Sequence, residues 1–167
     1  AEQFRDDDLA GSVVQILTDT WLPAQCLELE LTETILMRDI ERTTRVLREI
    51  KTHGVQIAVD DFGIGYSSLN YLRSFPIDYL KIDRSFVRDL KSNANDAAIT
   101  ATIIAMAHSL HLGVVAEGIE EEAQVEFLRT QRCDEVQGFL FGHPAPAAEI
   151  TRMLDAQLVQ PAVTPPT

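Results

Sequence analysis

Apolar positions along the chain change their period several times, and each change marks an element. Leu9, Val13, Ile16 and Leu17 recur three or four residues apart, as on one face of a helix. Asp6, Asp7 and Asp8 stand at its positive N-terminal end, and Pro23 stops it. Cys26 to Thr32 alternates polar and apolar, which predicts a short strand carrying Glu28 and Glu30, with Glu33 just beyond. The stripe Leu36, Ile40, Leu47 and Ile50 predicts a helix ending at Gly54. Val55 to Val59 is an apolar, β-branched run that ends in Asp60 and Asp61, followed by the loop Gly63-Ile64-Gly65. Leu69, Tyr71 and Leu72 predict a short helix halted before Pro76.

Ile77 to Asp83 is the next strand candidate, ending with Lys81 and Asp83, and Arg84 to Lys91 predicts a short helix. After a loop at Ser92 to Asp96, the spacing of Ile99, Ile103, Met106 and Leu110 predicts a helix over Ala97 to Leu110. Gly113 to Gly118 reads as a buried strand tipped by Glu117, and Glu120 to Thr130 as a helix. Val136 to Gly142 reads as a last strand with Gln137 near its start, and a final helix runs through Ile150 and Leu154. Residues 159–167, with three prolines, are expected to form a disordered tail.

Strand and helix alternate five times with short connections, the order of a parallel sheet with crossover helices. In that fold class reactive groups gather at the carboxyl ends of strands. Glu30, Asp60 with Asp61, Lys81 and Glu117 all fall at or near those ends. One Asp-Asp pair is ordinarily a solvated turn. Four successive strands each delivering a carboxylate or a lysine point instead to a metal site.

Size and charge narrow the function. At 167 residues and 46% hydrophobic, the chain suits one well-buried domain. Its 26 acidic and 14 basic side chains give a net charge of -12. That balance argues against non-specific DNA or RNA binding and against an anionic membrane surface. An acidic protein that handles a phosphate needs metal ions to reverse the local field. Cys26 and Cys133 are far apart with no Cys-x-x-Cys spacing, which points to reduced cysteines in a cytoplasmic protein. The longest apolar stretch is broken by Thr100, Thr102 and His108, so this segment is not expected to insert into a membrane. The chain begins at Ala1 without a signal peptide and reads as a piece of something longer.

Five motifs, taken together, resemble the EAL domain, the bacterial phosphodiesterase domain that hydrolyses cyclic di-GMP. They are Leu27-Glu-Leu-Glu-Leu-Thr-Glu-Thr34, Asp60-Asp-Phe-Gly-Ile-Gly-Tyr-Ser-Ser-Leu69, Leu80-Lys-Ile-Asp-Arg-Ser-Phe-Val87, Val115-Ala-Glu-Gly-Ile-Glu120 and Gln137-Gly-Phe139. The resemblance covers nearly everything from about Gln3 to Leu154 and implies an α/β, TIM-like barrel. Here that barrel is incomplete, with about five βα units in a partial EAL domain at residues 1–158. The Glu-Ala-Leu signature does not occur in this sequence, and the resemblance implies that three strands of the barrel precede the part that matches.

The resemblance implies a two-metal site for Mg²⁺ or Mn²⁺, with Glu30, Asp60, Asp61 and Glu117 as ligands. Lys81, Glu117 and Gln137 would be the catalytic residues, acting on cyclic di-GMP to give linear pGpG. Glu33 would hold the Phe62 to Leu69 loop in place. A homodimer is expected, with sensory or GGDEF-type domains upstream in the parent protein. Two other readings are a catalytically inactive cyclic di-GMP receptor and a dimerisation module; the retained acidic set argues against the receptor. Taken alone, the chain is expected to show little catalysis and to self-associate through its open sheet edges. Glu28 and Asp78 read as solvated and Asp83 as an ion-pair partner. His53, His108, His111 and His143 read as structural or surface residues.

Overall fold

The computed structural model describes residues 8–64 and 72–159. Helix α1 (Leu9–Thr20) starts where Asp8 caps it, the carboxylate accepting from the Gly11 N–H. A short 3₁₀ turn at Ala24–Cys26 then leads into strand β1 (Glu28–Thr32). The stripe from Leu36 to Ile50 forms two helices rather than one. These are α2 (Glu33–Leu36) and α3 (Ile40–Thr52), separated because Asp39 caps α3 by accepting from the Arg42 N–H.

Strand β2 (Gln56–Phe62) runs three residues past the predicted Val59, so Asp60 and Asp61 lie within the strand and not in a turn after it. Strand β3 (Tyr79–Ile82) and helix α4 (Arg84–Val87) are shorter than predicted, whereas α5 (Ala94–Ser109) begins three residues earlier, behind its Asn93 cap. Strand β4 (Gly113–Ala116), helix α6 (Glu122–Thr130), strand β5 (Glu135–Val136) and helix α7 (Ala147–Val159) complete the chain. The predicted helix at Leu69 to Leu72 falls mostly, and the tail from Gln160 onward entirely, outside the described residues.

The last strand departs most from the sequence pattern. Val136 to Gly142 looks apolar enough for a strand, yet pairing stops after Val136. The chain instead folds back: Leu140 N–H donates to Ile119 and Phe141 N–H to Gly138. Gly138 packs so tightly on the Ile119 backbone that a Cβ there would overlap it. Phe139 and Phe141 are consequently more than half exposed.

All five strands are parallel and lie in sequence order, β1-β2-β3-β4-β5. Helices α2 to α6 cover one face, where Leu31, Ile57, Val59, Leu80, Ile82, Val114 and Ala116 pack with Leu47, Ile104 and Leu128 in the main core. A smaller cluster joins α1 to α3 through Val13, Leu17, Ile50 and Val55. Because side chains alternate along a strand, the residues between these project from the opposite, inner face. They include Glu28, Glu30, Asp60, Tyr79, Lys81 and Glu135.

Candidate active site

The inner face is polar because each strand places polar residues between its core positions, and its carboxyl end is where they meet. Lys81 of β3 is almost fully buried, 3% exposed, and its ammonium sits among three carboxylates. Nζ is 2.5 Å from Glu30 Oε1 of β1, 2.6 Å from Glu117 Oε1 beyond β4, and 3.8 Å from Asp60 Oδ1 of β2. Gln137 Nε2 donates to the same Glu117 oxygen at 3.0 Å. The parallel ladder continues past the strands to set these heights: Glu117 N–H donates to Ile82 and Gln137 N–H to Ala116.

A register shift between Val59 and Phe62 aims the two aspartates. Asp61 takes a left-handed backbone, φ 54°, which aspartate tolerates better than most residues. Its N–H donates to Asp60 Oδ1 at 2.9 Å, fixing the neighbouring carboxylate. Asp60 thus reaches toward Lys81, while Asp61 lines a cleft of about 580 Å³ beside Glu117, Gln137, Asp83, Phe139 and His143. The size suits a small-molecule ligand.

Electrostatics follow from crowding. Burial alone would lower the Lys81 pKa, but hydrogen bonds to Glu117 and Glu30 outweigh it and push the pKa up to about 12. Lys81 is therefore a fixed cation at neutral pH. Burial raises the Glu117 carboxyl above its ordinary value, against the opposing pull of Lys81, and the charges of Asp60 and Glu30 add to the rise. Asp61 is raised as well, by burial and then by Asp60 and Asp83. Carboxylates pressed together in this way are relieved by a divalent cation, and their oxygens suit a hard one. In the conformation present, no three His, Cys, Asp or Glu side chains among the described residues stand close enough to grip an ion. Lys81 occupies the space between them.

Other residues take parts the sequence did not suggest. Glu33 is 6% exposed, and its Oε2 has no hydrogen-bond partner among the described residues. The loop it was expected to hold lies largely outside the described residues. Asp83 is a helix cap, accepting from the Ser85 N–H at 2.9 Å, and not an ion-pair partner among the described residues. Asp78 is not simply solvated: Lys51 Nζ donates to both its oxygens at 2.8 Å, and Ile57 N–H donates to one of them. Glu28 is half-buried, its carboxyl raised by burial and then by Glu30. His108 pairs with Asp134 at 2.9 Å, and that carboxylate also receives the Val114 N–H. Gln124, missed entirely, is buried; it accepts from the Glu120 and Glu121 N–H groups and donates to Val87 and Arg88. It thereby ties the segment after Glu117 to α4. Its only sequence signal is its place at the third position of α6, where a side chain can reach back to the helix start.

Parallel strands with helices on one face and an acidic cluster at their carboxyl ends define a β/α barrel-type protein with its chemistry at the barrel mouth. The chain belongs to the EAL domain family, whose model matches residues 1–144. Over 148 residues it is 47% identical to the cyclic di-GMP phosphodiesterase NbdA of Pseudomonas aeruginosa, covering 89% of this chain and 19% of that protein. It superposes on the solved MucR phosphodiesterase of Pseudomonas aeruginosa, in complex with c-di-GMP, with TM-score 0.85 and 44% identity. That match covers 89% of this chain and 60% of the other. BlrP1 of Klebsiella pneumoniae, solved with manganese and cyclic di-GMP, matches with TM-score 0.78 and 32% identity, covering 85% and 36%. The neighbours are TIM-barrel-like EAL domains, in line with the fold class read from the sequence. The chain spans about a fifth of the length of the curated relatives it matches. No helix among the described residues is long and apolar enough to cross a membrane.

Proposed function

We propose that this chain carries the metal-dependent phosphodiesterase site that opens cyclic di-GMP to linear pGpG in bacterial second-messenger signalling. The observation that carries this reading is the convergence of Glu30, Asp60 and Glu117, from three strands, on one buried lysine beside Gln137. The name of NbdA and the ligands of the MucR and BlrP1 complexes support it.

Glu30, Asp60, Asp61 and Glu117 would hold the Mg²⁺ or Mn²⁺ ions. When bound, such ions activate water and neutralise charge on the entering and leaving oxygens of an in-line displacement. Lys81 stays protonated, so it serves as a donor from Nζ to a phosphate oxygen or to the incoming water, and not as a base. Glu117, aligned by Gln137 Nε2, is the carboxylate assigned to receive the water proton. The water oxygen joins phosphorus as its proton passes to Glu117, one P–O3′ bond breaks, and the departing O3′ takes up a proton from solvent, giving a 5′-phosphate and a free 3′-hydroxyl. Glu33 is assigned to holding the loop after Phe62, which would satisfy its open Oε2.

The same reading places residues 1–158 in one partial EAL barrel acting in the cytoplasm, as a homodimer, under sensory or GGDEF-type domains. Its test is direct. The full-length protein with Mn²⁺ should release pGpG from cyclic di-GMP; tight metal binding without turnover would reject it.

A further inference from the structure

We infer that Tyr79 is a positioning residue for Lys81, seated by Gly113, and that this pair sets where the ammonium meets its carboxylates. The inference rests on the phosphodiesterase reading above. Residues 79 and 81 share the inner face of β3. Tyr79 stands level with Ala58 of β2 on one side and Gly113 of β4 on the other, so its ring is flanked by two of the smallest side chains. The ring uses that room. A Cβ at Gly113 would come within 2.5 Å of Tyr79 Cε1 and 2.6 Å of Cδ1, far inside carbon–carbon contact distance.

The ring therefore lies over the Gly113 backbone, one inner-face level below Val115, and Val115 is the register partner of Lys81. Both residues above the ring are buried, Val115 at 7% and Lys81 at 3%. Burial, followed by the charges of Glu135 and Glu28, raises the Tyr79 hydroxyl above its ordinary pKa, so it stays neutral and forms an uncharged wall. No hydrogen bond joins Tyr79 to a described carboxylate of the Lys81 cluster. It acts by filling the inner-face level below Lys81 and Val115, which directs Nζ upward to Glu30 and Glu117.

The test uses Tyr79→Phe, Tyr79→Ala, Gly113→Ala and the Tyr79→Ala/Gly113→Ala double variant in the full-length protein with Mn²⁺. Tyr79→Phe keeps the ring and should keep kcat within about twofold of wild type. Tyr79→Ala and Gly113→Ala should each lower kcat by roughly tenfold or more with KM little changed, because a small displacement of an aligned group is costly. The double variant should be no worse than Tyr79→Ala, since the ring that collides with the new methyl is gone. A readout free of turnover is hydrogen exchange of the Lys81 ammonium by ¹⁵N NMR: slow in wild type and Tyr79→Phe, fast in Tyr79→Ala. Wild-type kcat and slow exchange in Tyr79→Ala, or additive losses in the double variant, would overturn the inference. If Tyr79→Ala does not fold, Gly113→Ala with wild-type kcat and slow exchange overturns it alone. An inactive wild type would count against the phosphodiesterase reading and leave the exchange result to decide the role of Tyr79.

Discussion

The two faces of the same five strands obey opposite rules. On the helix side, Leu31, Ile57, Val59, Leu80, Ile82, Val114 and Ala116 exclude water, and their interest is in staying packed. On the inner side, one residue along each strand, Glu30, Asp60 and Glu117 crowd around Lys81 with their acid groups still partly open to solvent. The first face stabilises the sheet; the second places charge where stability alone would not put it. Strand β3 shows the contrast within two residues, with Leu80 in the core and Lys81 in the cluster. Changes on the two faces should therefore separate stability from chemistry.

The largest expected effect on chemistry is at Asp60. Asp60→Asn should lower pGpG release by roughly a hundredfold or more, because in the proposed site it supplies a charged metal ligand. The melting temperature of the metal-free protein should not fall, since one of the crowded carboxylates becomes neutral. Leu80→Ala should do the reverse. It should cost about 2–5 kcal/mol in a urea melt, the usual range for a buried leucine truncation, with activity per folded molecule retained. A collapse in activity without a stability loss would break the contrast between the faces.

Lys81→Met tests the cluster itself. Removing the ammonium leaves three carboxylates facing one another, but the Glu30 side chain is 45% exposed and solvent screens part of the repulsion. The expected loss is about 1–2 kcal/mol in metal-free protein. Mn²⁺ should raise the melting temperature of this variant by more than it raises that of wild type, read by differential scanning fluorimetry.

The smallest effect is at the edge of the helix-side core. Burial pushes the Cys133 thiol from 9.0 up to about 11, with backbone hydrogen bonds at Glu135, Ala116 and Asp134 only partly opposing it and the Asp134 charge adding to the rise. The folded state thus holds this proton more tightly than the unfolded state. The resulting stability is complete below pH 9 and is lost as pH rises from 9 to 11. Cys133→Ala should flatten the alkaline limb of the stability profile. At pH 8, iodoacetamide should modify exposed Cys26 and spare Cys133.

Much of this was legible in the sequence because it is local. Alternation in Glu28 to Thr32 and the apolar runs before Asp60 and Glu117 marked strands and their charged tips, and parallel topology brings such tips to one edge. What was not legible depends on residues distant in the chain. The left-handed Asp61, which sends Asp60 toward Lys81 and Asp61 into the cleft, is set by the register of β2 against β3. The short β5 reflects Gly138 closing on Ile119, which an apolar pattern at Val136 to Phe141 cannot reveal. The pairing of Asp78 with Lys51 and the seating of Tyr79 on Gly113 each join residues that look unremarkable alone.

The most direct test of the inner face as a phosphodiesterase site is cyclic di-GMP turnover by the full-length protein, followed by product chromatography with Mn²⁺ and again with excess EDTA. The account predicts pGpG as the first product with Mn²⁺ and none with EDTA. Cyclic di-GMP bound intact in the presence of Mn²⁺ would contradict it.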